Sequence, residues 1–163
     1  AKEIKSRCLN KVIFLIFGDG NEKDELIQKC KDENIDNVVF KGKVSKEYIP
    51  SIVSKSDVNF VHVKGTDIMR FGCSLNKLFD YFAAKKPILS DLWVNHDLIK
   101  KFGCGIVTKD QNPQTVADAI EEFVNMPKQT YDNMCENSAK VSENYDFKVL
   151  TEHLEKIIED VTR

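Results

Sequence analysis

Val12-Ile-Phe-Leu-Ile-Phe17, followed at once by Gly18-Asp-Gly20, is the stretch that decides the fold. Its apolar residues are β-branched, aromatic or leucine. A short run of this kind without polar positions is typical of a strand buried on both faces of a parallel sheet. The glycines predict a turn out of the strand. Leu26, Ile27 and Cys30 have the spacing of one helix face, so a helix is expected to follow.

The same strand-turn-helix unit recurs along the chain. Strands are predicted at residues 38–40, 57–63, 87–89 and 104–107, and helices at 74–84, 95–102, 113–124, 131–145 and 147–161. This alternation predicts an α/β fold, a Rossmann-like parallel sheet with helices on both faces, in a single domain over residues 1–163. The charged, helix-like residues 1–7 stand where a strand would open such a fold, which predicts that a first β-unit is missing.

Composition excludes several classes of protein. The 163 residues carry 24 basic and 26 acidic side chains, a net charge of −2, unlike the basic surface of a nucleic-acid-binding protein. No apolar run approaches the roughly 20 residues of a membrane-spanning helix. The five cysteines are scattered and the three histidines lie near no cluster of ligand spacing, so reduced thiols and no metal site are predicted. No signal-peptide core follows the start, which indicates a cytoplasmic protein or one whose leader was removed.

Ligands of an open parallel sheet bind beyond the carboxyl ends of its strands, at glycine turns and helix N-termini. The turns at Gly18 and Gly42 are weak signals by themselves, because such turns often use glycine only for its backbone freedom. The first turn also lacks the dinucleotide-binding fingerprint, since Lys23 stands where the pattern needs its third glycine.

A third turn combines several features that suit an anion. A glycine loop leads to Ser74 as a predicted helix cap, and the N–H groups of Leu75, Asn76 and Lys77 then lie at the helix start, where the dipole contributes about 0.5–1 kcal/mol. Lys77 adds a positive charge, and Asp80 shares its helix face. An alternative remains open, a capped helix with a solvated ion pair between Lys77 and Asp80.

Arg70-Phe-Gly-Cys-Ser-Leu-Asn-Lys-Leu-Phe-Asp-Tyr-Phe-Ala-Ala-Lys-Lys-Pro-Ile88 resembles the motif G-x-S-P-N-K-L-F-D-Y-M-A-x-G-K-P-I of glycosyltransferase family 4. This family has the GT-B fold, and the similarity is strongest to bacterial enzymes of capsular and surface polysaccharide assembly. Residues 16–26, 37–44 and 56–58 extend the resemblance over nearly the whole chain.

The resemblance implies a binding role for each turn. In the family, backbone corresponding to Gly42, Lys43 and Val44 holds the nucleotide base, and the acid corresponding to Asp80 holds the ribose hydroxyls. The diphosphate would face the amides of Ser74, Leu75, Asn76 and Lys77, with Gly18 and Gly72 as weaker candidates. A carboxylate accepts both ribose hydroxyls, while a helix N-terminus and a lysine neutralise a leaving diphosphate.

The implied function is that of a carboxy-terminal donor-binding domain of a retaining, metal-independent glycosyltransferase. It would move a sugar from a nucleotide-diphosphate sugar, without a cofactor, to a polysaccharide or lipid-linked acceptor held by a missing amino-terminal domain. That missing domain would also place the enzyme at the inner face of the membrane, and the fragment alone is expected to be inactive. No catalytic residue can be named.

Three positions depart from the family pattern. Gly72 stands where many members carry a sugar-binding glutamate, Leu75 replaces a proline, and Lys85 replaces a glycine.

Two other functions remain alternatives. A nucleotide-sugar epimerase of GT-B architecture would use the same pocket, and a non-catalytic flavodoxin-like module would bind a nucleotide on a similar sheet. The last predicted helix is expected to pack on the sheet through one apolar stripe, part of which is exposed if the helix returns towards a partner domain as it does in the family. The stripe consists of Leu150, Leu154, Ile157, Ile158 and Val161.

Overall fold

The computed structural model describes residues 1–64, 71, 75–94 and 97–162. Its strands are β1 (Phe14–Phe17), β2 (Val38–Gly42), β3 (Asn59–Val61), β4 (Ile88–Ser90) and β5 (Gly105–Val107), and each described pairing is parallel. The helices are α1 (Lys2–Ser6), α2 (Lys23–Asp32), α3 (Ile49–Ser54), α4 (Asn76–Ala83), α5 (Leu98–Phe102), α6 (Pro113–Asn125), α7 (Lys128–Asn144) and α8 (Phe147–Val161), with a 3₁₀ turn at Lys46–Tyr48. The predicted α/β class and parallel strands are confirmed.

The strands are divided between two sheets, β1-β2 and β3-β4-β5. In β1, Phe14 N–H donates to Asn37 O at 2.8 Å and Gly18 N–H to Gly42 O at 2.9 Å, so the alternate amides of Leu15 and Phe17 face away from β2. Leu15 is 54% exposed. Among the described residues no strand pairs with that edge of β1 or with the outer edge of β3.

The main core lies between the three-stranded sheet and helices α4, α5 and α7. It consists of Val61, Phe82, Ile88, Ile99, Cys104 and Val141. The Ser138 hydroxyl of α7 donates to Lys86 O at 2.9 Å, which ties α7 to the segment before β4. Full burial of a side chain such as Phe82 stabilises the fold by about 1.5–3 kcal/mol.

Helix α1 connects the two parts of the fold. Its Ile4 is 1% exposed, and Arg7 pairs with Asp118 of α6 at 2.6 Å. Lys5 pairs with Asp36 ahead of β2 at 2.9 Å. These contacts hold the β1-β2 unit against the helix that follows β5.

The ends of α2 and α5 are fixed by different local contacts. Helix α2 begins at Lys23 after Glu22, and Glu22 makes no side-chain capping bond. Helix α5 is capped by Asp97, whose Oδ1 accepts from the N–H of Ile99 at 2.9 Å. After α2 the chain passes through Asn34 in the left-handed conformation, with φ of 53°.

The expectation that the α8 stripe packs mainly on the sheet is wrong. The exposures of Phe147 and Val161 are 87% and 81%, and Leu150, Leu154, Ile157 and Ile158 are exposed as well. The bounds of α8 follow the sequence pattern closely, with Asp146 as cap. Periodicity identified the apolar face but not what covers it.

Candidate functional site

The two glycine turns after β1 and β2 lie against each other. Gly18 N–H donates to Gly42 O at 2.9 Å, and the two residues have φ angles of 140° and 72°, which favour glycine. An added Cβ at either position would meet open space, so backbone conformation alone requires glycine there. Lys43 beyond the second turn is exposed and Val44 half-buried. The structure thus brings together two of the predicted turns.

Asp19 has a local structural role. Its Oδ1 accepts from Gly20 N–H at 3.1 Å and pairs with Lys23 at 3.3 Å, one helical turn further on. These contacts stabilise the turn into α2.

Helix α4 begins at Asn76, so that Leu75 and not Ser74 takes the capping position, and no side chain of the described residues caps this end. Leu78 N–H donates to Leu75 O at 2.9 Å, which is the first described backbone hydrogen bond of the helix. The N–H groups of Asn76 and Lys77 therefore precede the helical bonding pattern, at the positive end of the dipole. The predicted residues Gly72 and Ser74 lie outside the described residues.

Lys77 and Asp80 are both exposed on α4, and the described ion pairs include none between them. The alternative of a solvated pair is therefore not what the structure contains. Burial raises the pKa of the neighbouring Tyr81 hydroxyl, and the charge of Asp80 adds to the effect. Both charged groups of the predicted anion and ribose site face solvent.

Helix α3 positions the base turn relative to α4. The chain passes from Gly42 through the 3₁₀ turn at Lys46–Tyr48 into α3, and α3 packs on α4. Pro50 lies at the first turn of α3, where its missing N–H costs little. The segment after the predicted base turn is therefore packed against the helix that carries Asp80.

Lys85 ends α4 in a left-handed conformation with φ of 55°. Its N–H donates to Phe82 O at 3.0 Å, and Ala84 N–H donates to Asp80 O at 3.0 Å. A side chain in this region costs about 1–2 kcal/mol relative to glycine. The departure from the family's glycine at this position therefore leaves the turn intact at an energetic cost.

Sequence reasoning missed a histidine at the carboxyl ends of the strands. β3 and β4 pair in register through Val61 and Ser90, so the next residues, His62 and Asp91, lie side by side. His62 Nδ1 and Asp91 Oδ2 are 2.6 Å apart. The available signal was a polar residue directly after each of two apolar runs, but their pairing depends on strand order, which the sequence does not show.

A cavity of about 210 Å³ lies beside the start of α4. Its walls include Val61 of β3, Leu75 and Leu78 at the start of α4, Ser90 of β4 and Tyr145 after α7. The end of β3 and the start of α4 are thus joined in one apolar wall.

Metal and thiol chemistry find little support among the described residues. They contain no cluster of three or more histidine, cysteine or acidic side chains able to hold a metal ion. Burial raises the pKa of the Cys104 thiol to about 11. Cys8, Cys30, Cys104 and Cys135 are free thiols, and Cys73 lies outside the described residues.

In the part of the chain that the structure describes, no helix has the length and apolarity to cross a membrane.

Solved structures share the fold of this chain over nearly its whole length. Anabaena HepE in complex with UDP has a TM-score of 0.75 and 19% identity, over 99% of this chain and 43% of HepE. The pneumococcal O-GlcNAc transferase GtfA in complex with UDP and GlcNAc has a TM-score of 0.71 and 18% identity, over 99% of this chain and 32% of GtfA. WaaG, a glycosyltransferase involved in lipopolysaccharide biosynthesis, has a TM-score of 0.70 and 13% identity, over 96% of this chain and 40% of WaaG.

This chain thus spans less than half the length of each of these structures. No curated protein matches it significantly. The family model described as glycosyl transferases group 1 matches residues 1–141. The chain therefore belongs to the group 1 glycosyl transferases and has the Rossmann-like fold of the carboxy-terminal domain of GT-B glycosyltransferases.

Proposed function

We propose that this chain is the donor-binding domain of a retaining, metal-independent glycosyltransferase of family 4. The observation that carries the proposal is the start of α4, where backbone N–H groups that no described side chain caps, exposed Lys77 and exposed Asp80 lie within two turns of one helix. This arrangement offers cationic and N–H donors to a diphosphate and a carboxylate to a ribose. The base would lie on the backbone of Gly42, Lys43 and Val44.

UDP is the nucleotide to test first, because HepE and GtfA were solved with it. The chemistry of this half of the site is leaving-group stabilisation: Lys77 and the helix N-terminus offset the charge that develops on the diphosphate when the sugar bond breaks. No residue of the chain is assigned as a base.

The chain would be one of two domains, and its acceptor a capsular or other surface saccharide, free or lipid-linked. The first point is supported by length, since this chain spans less than half of HepE, GtfA and WaaG. The acceptor class is proposed from the motif resemblance alone.

Isothermal titration of the chain with UDP and with uridine, each in magnesium and in EDTA, tests the donor site. UDP is expected to bind equally in both buffers, and Lys77→Ala to weaken UDP by about ten- to a hundredfold, the value of a charge-assisted contact, while uridine is unaffected. Lys156→Ala, an exposed lysine on α8, is the matched control.

Two results would contradict the proposal. A requirement for magnesium would exclude the metal-independent site, and equal losses for UDP and uridine would remove Lys77 from the diphosphate. Turnover of UDP-sugar to its epimer by the full-length protein, with no transfer to a saccharide, would favour the epimerase.

A further inference from the structure

Gln111 holds the Asp91 carboxylate that pairs with His62. The Asp91 side chain is 3% exposed, and Gln111 Nε2 donates to Asp91 Oδ1 at 3.2 Å and to Val63 O at 2.8 Å. A buried carboxylate costs several kcal/mol unless its oxygens are hydrogen-bonded, and here each oxygen has a partner. The carboxylate is therefore held in one orientation, with Oδ2 directed at the histidine ring.

The histidine ring itself is open to solvent. Its side chain is 58% exposed, and among the described residues no hydrogen bond uses Nε2. Because a carboxylate only accepts hydrogen bonds, the contact requires a proton on Nδ1, and the tautomer with that single ring proton presents Nε2 as an acceptor. A tie between two strands does not require an exposed imidazole, since a short amide or hydroxyl side chain would serve.

His62 directly follows Val61, which lines the same cavity as the start of the helix that carries the proposed donor site. It directly precedes the segment that leads from β3 to α4. Val61 and Leu75, near the two ends of this segment, line the same cavity, so both ends meet at the carboxyl edge of the sheet. Gly72 stands where the motif that this segment resembles often carries a glutamate, so the chain offers no carboxylate at that position.

We propose that His62 is a sugar-binding residue whose Nε2 accepts a hydrogen bond from a hydroxyl group of the donor sugar, and that Asp91, fixed by Gln111, positions the ring. This inference rests on the proposed function, because it places the sugar of a nucleotide-diphosphate sugar beside the ring. The ligand class is a hexose or N-acetylhexosamine carried on UDP, and the role of His62 is specificity.

Long-range ¹H–¹⁵N NMR of the histidine rings tests the geometry first, with His153 on α8 as an internal reference. The His62 ring is expected to carry its proton on Nδ1. UDP-glucose, UDP-galactose or UDP-N-acetylglucosamine should shift Nε2 where UDP alone does not. A proton on Nε2, or no shift of Nε2 with any of the three sugars, overturns the inference.

Calorimetry then compares the affinity for each UDP-sugar with the affinity for UDP. His62→Ala is expected to lower this ratio by about two- to tenfold, the value of one neutral hydrogen bond, and to leave UDP itself unchanged. His153→Ala is the control. A ratio that His62→Ala leaves unchanged for all three sugars, or an equal loss for UDP, refutes the role of His62.

Asp91→Asn tests the positioning role. Its amide N–H would donate to Nδ1 and move the ring proton to Nε2, so the sugar-to-UDP ratio should fall as in His62→Ala although the ring remains. Because Asp91 is buried, circular dichroism is used to check that Asp91→Asn still folds. If this variant unfolds, His62→Ala alone decides whether His62 binds the sugar. Failure of the unsubstituted chain to bind UDP would refute the proposed function and this inference with it, whereas UDP binding with an unresponsive His62 refutes the inference alone.

Discussion

Replacing Asp80 by asparagine separates a ribose-binding carboxylate from an ordinary surface residue. Asp80 is exposed and forms no ion pair with Lys77 in the structure, so the substitution removes no described stabilising contact. The free energy of unfolding should change by less than about 0.5 kcal/mol. If Asp80 accepts both ribose hydroxyls, asparagine keeps the shape but has one acceptor oxygen and no charge.

The expected loss is therefore in binding. Charge-assisted hydrogen bonds contribute about 1.5–3 kcal/mol, so Asp80→Asn should weaken UDP by about ten- to a hundredfold. The 2′-deoxy analogue of UDP already lacks one of the two bonds and should lose less.

Titrating both proteins with both nucleotides completes a double-mutant cycle, whose coupling energy isolates the contact between Asp80 and the 2′-hydroxyl. Asp160→Asn, an exposed aspartate of α8, is the matched control and should leave both affinities unchanged. Zero coupling would remove Asp80 from the ribose. A large loss of stability would show that Asp80 supports the fold instead.

Three further predictions follow from the backbone and the core. Lys85→Gly should raise the free energy of unfolding by about 1 kcal/mol in urea titrations, because φ of 55° is strained for lysine. An unchanged free energy of unfolding would mean that contacts of the Lys85 side chain offset the strain. Gly105→Ala should lower the free energy of unfolding by about 1–3 kcal/mol, because the new Cβ would overlap the Ile88 carbonyl oxygen and lie 2.8 Å from Ile88 N. Near-native stability would refute this packing. Iodoacetamide at pH 8 should label exposed Cys8 and spare Cys104, with the labelling followed by mass spectrometry. The Cys104 thiol is buried and its pKa is raised to about 11, so it carries little thiolate at this pH. Labelling of both cysteines at similar rates would contradict the burial of Cys104.

The sequence predicted the placement of some residues of the candidate site correctly and that of others not. The start of α4 was found because a helix places Lys77 and Asp80 on one face whatever surrounds it. The predicted cap Ser74 was displaced by Leu75, since the first turn of a helix depends on how the preceding loop arrives. The roles of Gly42, Lys43 and Val44 came from family resemblance and stay predictions.

What the sequence by itself determined is local. Apolar runs of β-branched and aromatic residues specified parallel strands, and the 3.6-residue period specified the helices, because both signals depend on neighbours within a few positions. The glycine requirement at Gly18 and Gly42 is equally local, since it depends on backbone sterics at one residue.

Only the tertiary structure decided which strands lie side by side and which polar groups meet. The division into the sheets β1-β2 and β3-β4-β5 depends on which strand edges pair. An apolar run predicts a strand but does not specify its neighbours. His62 meets Asp91 across 29 residues of sequence through the register of β3 and β4. Gln111, between β5 and α6, reaches Asp91 across 20 residues. The exposed stripe of α8 has the same cause: periodicity marks an apolar face, but the surface that covers it is chosen by packing between distant parts of a chain.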